Sequence, residues 1–389
     1  MPIQLTSIGL ALAALLTAAL VALISTPVVR SLAFRVGAVD IPKDSRRMHD
    51  HPIPRMGGLA IFFGFIFSIL IFLPLTPERQ SMLLGGVVIV ILGIFDDIFA
   101  LPALPKFFIQ IGAALIVALE EGNCIQLLSN PNIFSRELYW ELGWLSIPIT
   151  VLWIVGITNS VNLIDGLDGL ACGVSTISSM TLLVIALSVA EPDVAILMAA
   201  LAGGCIGFLP YNLNPAKIFM GDTGATFLGF ILATVSIQGL FKFYAIISFA
   251  VPFLMLGLPI FDTCFAILRR VSHGQSPMAP DRGHIHHRLI DMGFTQKQAV
   301  AVLYIISAIL GLSAVVLTTI GVVRAMLFLL ALGVAGAVAG KLYLDHNSGS
   351  APPPRPSTGK QSVPRRETPR QTQIAGSENF FGEEDQSDK

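Results

Sequence analysis

Long apolar runs, each near the length that carries an α-helix across a bilayer, follow one another down most of this chain. A hydrocarbon core takes about 20 helical residues. Stretches of that order occupy 7–29, 57–75, 81–98, 106–120, 146–162, 169–190, 194–213, 224–240, 244–268, 298–320 and 322–344. They amount to about eleven spans and predict an all-α, polytopic integral membrane protein embedded in a lipid bilayer. Composition agrees, since 54% of the 389 residues are hydrophobic and 13% charged, against about 25% charge in soluble domains. A water-soluble globule is thereby excluded. The third run is short before Asp96, so its helix is expected to continue past Asp96 and Asp97.

Charge order gives an orientation. No Lys or Arg precedes the first run, whereas Arg30, Arg35, Lys43, Arg46, Arg47 and Arg55 follow it. A cleaved signal peptide has a basic start, so the run is expected to persist as a helix with the N-terminus outside. Eleven spans then place the C-terminus and every odd-numbered connection in the cytoplasm. Those connections also hold Lys106, Lys217, Arg269, Arg270, Arg282, Arg288 and Lys297, while the even-numbered ones hold only Arg79, Arg136, Lys242 and Arg324. The bias obeys the positive-inside rule. The outer connection from Glu120 to Ser146 carries Tyr139, Trp140 and Trp144; its alternation allows a hairpin, and an ordinary membrane-anchoring loop is the preferred reading. After Leu344 the composition turns to Pro, Gly, Ser and charge, as in "APPPRPSTGK". A transmembrane domain over 1–345 and a disordered cytoplasmic tail over 346–389 are therefore expected. Cys124, Cys172, Cys205 and Cys264 lie singly and suggest neither a disulfide nor a zinc site.

Almost all the unusual polar clusters fall in connections assigned to the cytoplasm. They read "RRMHDHPIPRMGG" (46–58), "GIFDDIFALPALPK" (93–106), "NSVNLIDGLDGLACG" (159–173), "NLNPAKIFMGDTG" (212–224) and "DRGHIHHRL" (281–289). Each has an ordinary reading. Asp168 just before a helix is as well explained by a cap as by function, and Asp222 between glycines has a smaller claim to capping. Asp96 and Asp97 resist that explanation, because they sit near the negative dipole end of their helix and need a cation. His284, His286 and His287 lack further His or Cys to complete a tetrahedral zinc set, which favours contact with phosphate. Oxygen donors without thiolate suit magnesium, with manganese as a substitute, and magnesium commonly keeps positions for substrate phosphates. Carboxylates mixed with Lys, Arg and His at a membrane surface describe a magnesium diphosphate site, and so many spans imply that one phosphate is carried on a lipid.

At these five loops, over roughly residues 30–300, the sequence resembles the bacterial polyprenyl-phosphate N-acetylhexosamine-1-phosphate transferases, the glycosyltransferase family 4 enzymes that include the muramoyl-pentapeptide transferase. The resemblance implies a plasma-membrane enzyme with its active site on the cytoplasmic side. It would move a sugar-1-phosphate from a uridine diphosphate sugar to polyprenyl phosphate, releasing UMP, as the first membrane step toward a cell-envelope polysaccharide or teichoic acid. It implies magnesium at Asp222 and Asn162, an essential acidic pair at Asp96 and Asp97 near the lipid phosphate, and Lys106 as the basic residue that follows. Phe219 would stack on uracil, with Asp168 near the base and Asp165 near the nucleotide or metal. His284, His286 and His287, with Arg282 nearby, would meet the diphosphate and sugar, and His49 and Arg55 match the first-loop pattern. The form "HIHHRL", rather than three adjacent histidines, points to UDP-N-acetylglucosamine as donor, with a related amino sugar as the alternative. A homodimer is allowed for, and no nucleic-acid partner is expected.

Direct in-line attack by the lipid phosphate is the expected mechanism and an aspartyl-phosphate double displacement its competitor. Two other classes are weighed. A transporter would place its polar groups at mid-span, and an aspartyl intramembrane protease, prompted by "MGDTG", is disfavoured by Phe219.

Overall fold

A backbone amide in lipid has no water to bond, so the apolar runs have little choice but the helix. In the computed structural model, which describes residues 2–41, 51–129, 139–240, 245–276 and 283–320 with a few positions up to 331, they take it. The helices are α1 (Pro2–Val36), α2 (Gly58–Phe72), α3 (Pro77–Phe99), α4 (Ala103–Ala118), α5 (Ser146–Leu163), α6 (Leu170–Ser188), α7 (Pro192–Asn212), α8 (Gly221–Leu240), α9 (Ala245–Met255), α10 (Gly257–Ser272), α11 (Ile285–Asp291) and α12 (Gln296–Ile320). Among the described residues six helices are long and apolar enough to cross a membrane, within α1, α3, α5, α6, α7 and α12, and α2 and α4 are shorter apolar helices. Every expected run up to residue 320 coincides with helical residues. The run over 322–344 falls almost wholly outside the described residues, and so does the tail over 346–389.

The third run behaves as its length demanded: α3 begins at Pro77 and continues through Asp96 and Asp97 to Phe99, 23 residues in all. One expectation is corrected. The stretch 244–268 is two helices, not one, with the break at Leu256 (φ −103°, ψ 15°). Pro259 has no N–H to give to the Met255 carbonyl, so the ladder cannot run through. That carbonyl instead accepts a hydrogen bond from the Ser178 hydroxyl at 2.7 Å.

Packing uses small residues, as expected where lipid removes the hydrophobic drive between helices. α1 buries Ala11, Ala14, Ala18 and Ala22, and its backbone meets α7 at Gly203 and Gly207, where a β-carbon would lie 2.1 Å from the carbonyls of Leu15 and Ala19. Two short antiparallel pairs complete the fold, β1 (Val39–Asp40) with β2 (Ile53–Pro54), and β3 (Leu127–Ser129) with β4 (Tyr139–Glu141). The second pair makes the Glu120–Ser146 connection a hairpin rather than the plain loop preferred above.

α3 and α8 run antiparallel. Asn123 joins their far ends, donating to the Ser81 hydroxyl at 3.0 Å and accepting from Gln238 at 2.8 Å. Their other ends meet at Asp97 and Thr223. The acidic ends of α3, α5 and α8, the start of α4 and the histidine segment before α12 therefore collect at one end of the bundle.

Candidate active site

A helix begins with amides that have no partner within it. For α8 that partner comes from another helix: the Asp97 carboxylate accepts from the Asp222 amide at 3.0 Å, the Thr223 amide at 3.1 Å and the Thr223 hydroxyl at 2.6 Å. Asp97 lies at the unfavourable end of α3, yet the positive end of the α8 dipole compensates it. Gly221 (φ 71°) is needed there, since a β-carbon would sit 2.4 Å from an Asp97 oxygen. The first turn of α8 also touches the start of α2. A β-carbon on Gly58 would come within 1.9 Å of the Gly224 Cα.

Asp96, also buried, takes a different partner. Its Oδ2 accepts from Lys106 Nζ at 2.6 Å and its Oδ1 from the Leu101 amide at 2.8 Å. The same ammonium lies 3.3 Å from Asp222 Oδ2. Lys106 has three protons to donate; two are directed at these acids and the third has no acceptor among the described residues.

On α5, Asn162 stands one turn before Asp165. Neither side chain has a hydrogen-bond partner among the described residues, and both are half-buried. Burial, followed by the charges of Asp222, Asp97 and Asp168, pushes the Asp165 carboxyl up to about 8. The acids outnumber the one ammonium among them. Among the described residues no three His, Cys, Asp or Glu side chains are grouped to hold a metal by themselves. A donor set of one or two oxygens with excess negative charge fits magnesium, which takes few protein ligands, and does not fit zinc.

Asp168 is not a helix cap: Gly169 occupies that position without side-chain help. Its Oδ2 instead accepts from the Asn214 amide group at 2.9 Å and the Ala216 backbone at 3.0 Å, and Asn214 also donates to Gln296 at 2.6 Å. Asp168 thus ties the loop that leads to Phe219. That loop is zipped to the first connection, with the Phe219 amide donating to the Pro54 carbonyl and the Gly57 amide donating back to Phe219, each at 2.9 Å. Between them Arg55 pairs with Asp40 at 3.6 Å, and its buried Nε has no acceptor among the described residues.

The histidines form a stack. The rings of His284 and His286 are 5.7 Å apart and nearly parallel, and His287 lies 4.3 Å from His286. His286 is pressed against the Asp165 loop, so closely that a β-carbon on Gly166 would meet its Nε2 at 2.3 Å. Burial, then the neighbouring His287, depresses its basicity to about 4. At neutral pH it is an uncharged ring.

The structure therefore brings together Asp96, Asp97, Lys106 and Asp222, ties Asp168 to the Phe219 loop, and seats the histidine stack against the Asp165 loop. His49 and Arg282 lie outside the described residues. Sequence reasoning passed over Asp262, Asn214 and Gln296. Asp262 carried a usable signal, an acid in the middle of an apolar run, which is costly unless partnered; Asn214 and Gln296 carried none.

Residues 80–240 match the family described as glycosyl transferase family 4. The chain is 45% identical over 305 residues to a Bacillus subtilis protein named probable undecaprenyl-phosphate N-acetylglucosaminyl 1-phosphate transferase, covering 78% of this chain and 84% of that one. It is 33% identical over 336 residues to a decaprenyl-phosphate N-acetylglucosaminephosphotransferase of Mycolicibacterium smegmatis, covering 77% and 80%. An Escherichia coli K12 undecaprenyl-phosphate alpha-N-acetylglucosaminyl 1-phosphate transferase is 30% identical over 287 residues, covering 72% and 77%. With similarity of this extent added to the gathered acids, the chain belongs to glycosyl transferase family 4, among the polyprenyl-phosphate N-acetylglucosamine-1-phosphate transferases.

Proposed function

We propose that this protein transfers N-acetylglucosamine-1-phosphate from UDP-N-acetylglucosamine to undecaprenyl phosphate and releases UMP. The reaction takes place on the cytoplasmic side of a bacterial plasma membrane crossed by about eleven helices, with the N-terminus outside. It opens the assembly of a cell-envelope polysaccharide or teichoic acid. The observation that carries this reading is the meeting of Asp96, Asp97, Lys106 and Asp222 at one end of the bundle. The names of the relatives supply the donor and acceptor.

The second pKa of a phosphate monoester is about 6, so the lipid phosphate is mostly a dianion near neutral pH and needs no strong base. One of its oxygens forms a bond to the sugar-bearing phosphorus while the bond from that phosphorus to the oxygen of UMP breaks. Lys106, held by Asp96 and Asp222, offers its remaining proton to an incoming phosphate. Asn162 and Asp222 would hold magnesium, with Asp165 beside them. When bound, the ion supplies neutralisation of the diphosphate and of its leaving group. Both oxygens of Asp96 and of Asp97 already accept hydrogen bonds, which supports direct transfer over an aspartyl-phosphate. Phe219 stacks on uracil, and Asp168 keeps Oδ1 for the edge of the base.

The test is purified protein with undecaprenyl phosphate and a panel of uridine diphosphate sugars. UMP and labelled lipid are expected from UDP-N-acetylglucosamine, lost with chelator and restored by magnesium or manganese. Absence of UMP with every sugar would refute the reading.

A further inference from the structure

Asp262 is an acid inside an apolar stretch of α10, it is buried, and both of its oxygens are engaged. Oδ2 lies 2.8 Å from Nδ1 of His284, and Oδ1 accepts the Ile285 amide, the first of α11, at 2.8 Å. Two turns further along α10, Arg269 Nη1 donates to the Gly283 carbonyl at 3.0 Å. Two residues of one helix thus pin three consecutive residues of the histidine segment. An ionised carboxylate can only accept, so the proton of this contact sits on His284 Nδ1. The parallel ring of His286 then fixes the plane of the imidazole.

We infer that Asp262 is a positioning residue for His284, holding its ring with Nδ1–H turned to α10 so that Nε2, which then carries the lone pair, is presented to the donor substrate as a hydrogen-bond acceptor. The inference rests on the proposed reaction for what Nε2 meets, and on the geometry alone for how the ring is held. A carboxylate that fixes the tautomer and orientation of an imidazole is a general device, and its loss typically costs activity without removing the histidine.

Asp262→Asn separates this role from plain capping. The amide oxygen still accepts the Ile285 amide, while the amide nitrogen now faces Nδ1 and requires it to accept, which moves the ring proton to Nε2. The expected result is a kcat lower by about 10- to 100-fold with KM for UDP-N-acetylglucosamine and the melting temperature little changed. Adding Asp262→Asn to His284→Ala should bring no further loss, because the residue acts through that ring. Nitrogen NMR of histidine-labelled protein should show His284 protonated at Nδ1 in the native chain and at Nε2 in the variant. Full kcat in Asp262→Asn, losses that multiply in the double variant, or an unchanged nitrogen pattern would overturn the inference. If the native protein transferred no sugar phosphate, the functional reading would fall, and the nitrogen pattern would still decide whether Asp262 sets the ring.

Discussion

Asp165 shows how a single residue can report on the whole site. Its carboxyl titrates near 8 in the fold and near about 4 in an unfolded chain. Between those values the folded state holds the extra proton, so stability falls as pH rises from about 4 to about 8. Without divalent cations, Asp165→Asn should therefore melt above the native protein by a margin largest near pH 8 and vanishing toward pH 4. Added magnesium should narrow that margin. A margin independent of pH would deny the carboxylate crowding. At Phe219, replacement by alanine should weaken UMP binding by about 1 to 3 kcal/mol, the usual contribution of one stacked base, with little change in melting temperature. Calorimetric titration with UMP reads this directly, and equal affinity would remove Phe219 from the base site.

Between elements, the approach of backbone to backbone decides what is tolerated. The contact of Gly58 with Gly224 has no side chain that could yield, so Gly58→Ala must separate α2 from α8, and a loss of about 1 to 3 kcal/mol is expected. Thermal melting would show it, and native stability would mean that the helices stand further apart. Gly166→Ala acts on a flexible neighbour instead. The new methyl group displaces the His286 ring, so kcat should fall while the melting temperature moves little, and adding His286→Ala should not lower it further. These contacts also mark what could be read in advance. The runs, the length of α3 and the gathering of acids in particular loops were legible because hydrophobic length and charge are local properties. The partner of Asp97 was not, since the amides it caps lie 125 and 126 residues away. The break at Leu256 was hidden by apolar composition on both sides, although Pro252 and Pro259 stood in plain view.

For the molecule as a whole, orientation is the claim most open to direct measurement. On a cysteine-free background, Trp144→Cys and Gln275→Cys place thiols at exposed positions on opposite ends of the bundle. An impermeant maleimide added to intact cells should label the first and reach the second only after the membrane is opened; the reverse pattern would invert the topology. The position of Lys106 between two acids has a further consequence at this scale. A resting site whose one ammonium is already shared holds a lone anion only weakly, whether free phosphate, a lipid headgroup or the proposed lipid acceptor. Each would gain from a countercharge that arrives with the nucleotide, so filling of the pocket is expected to begin with the donor.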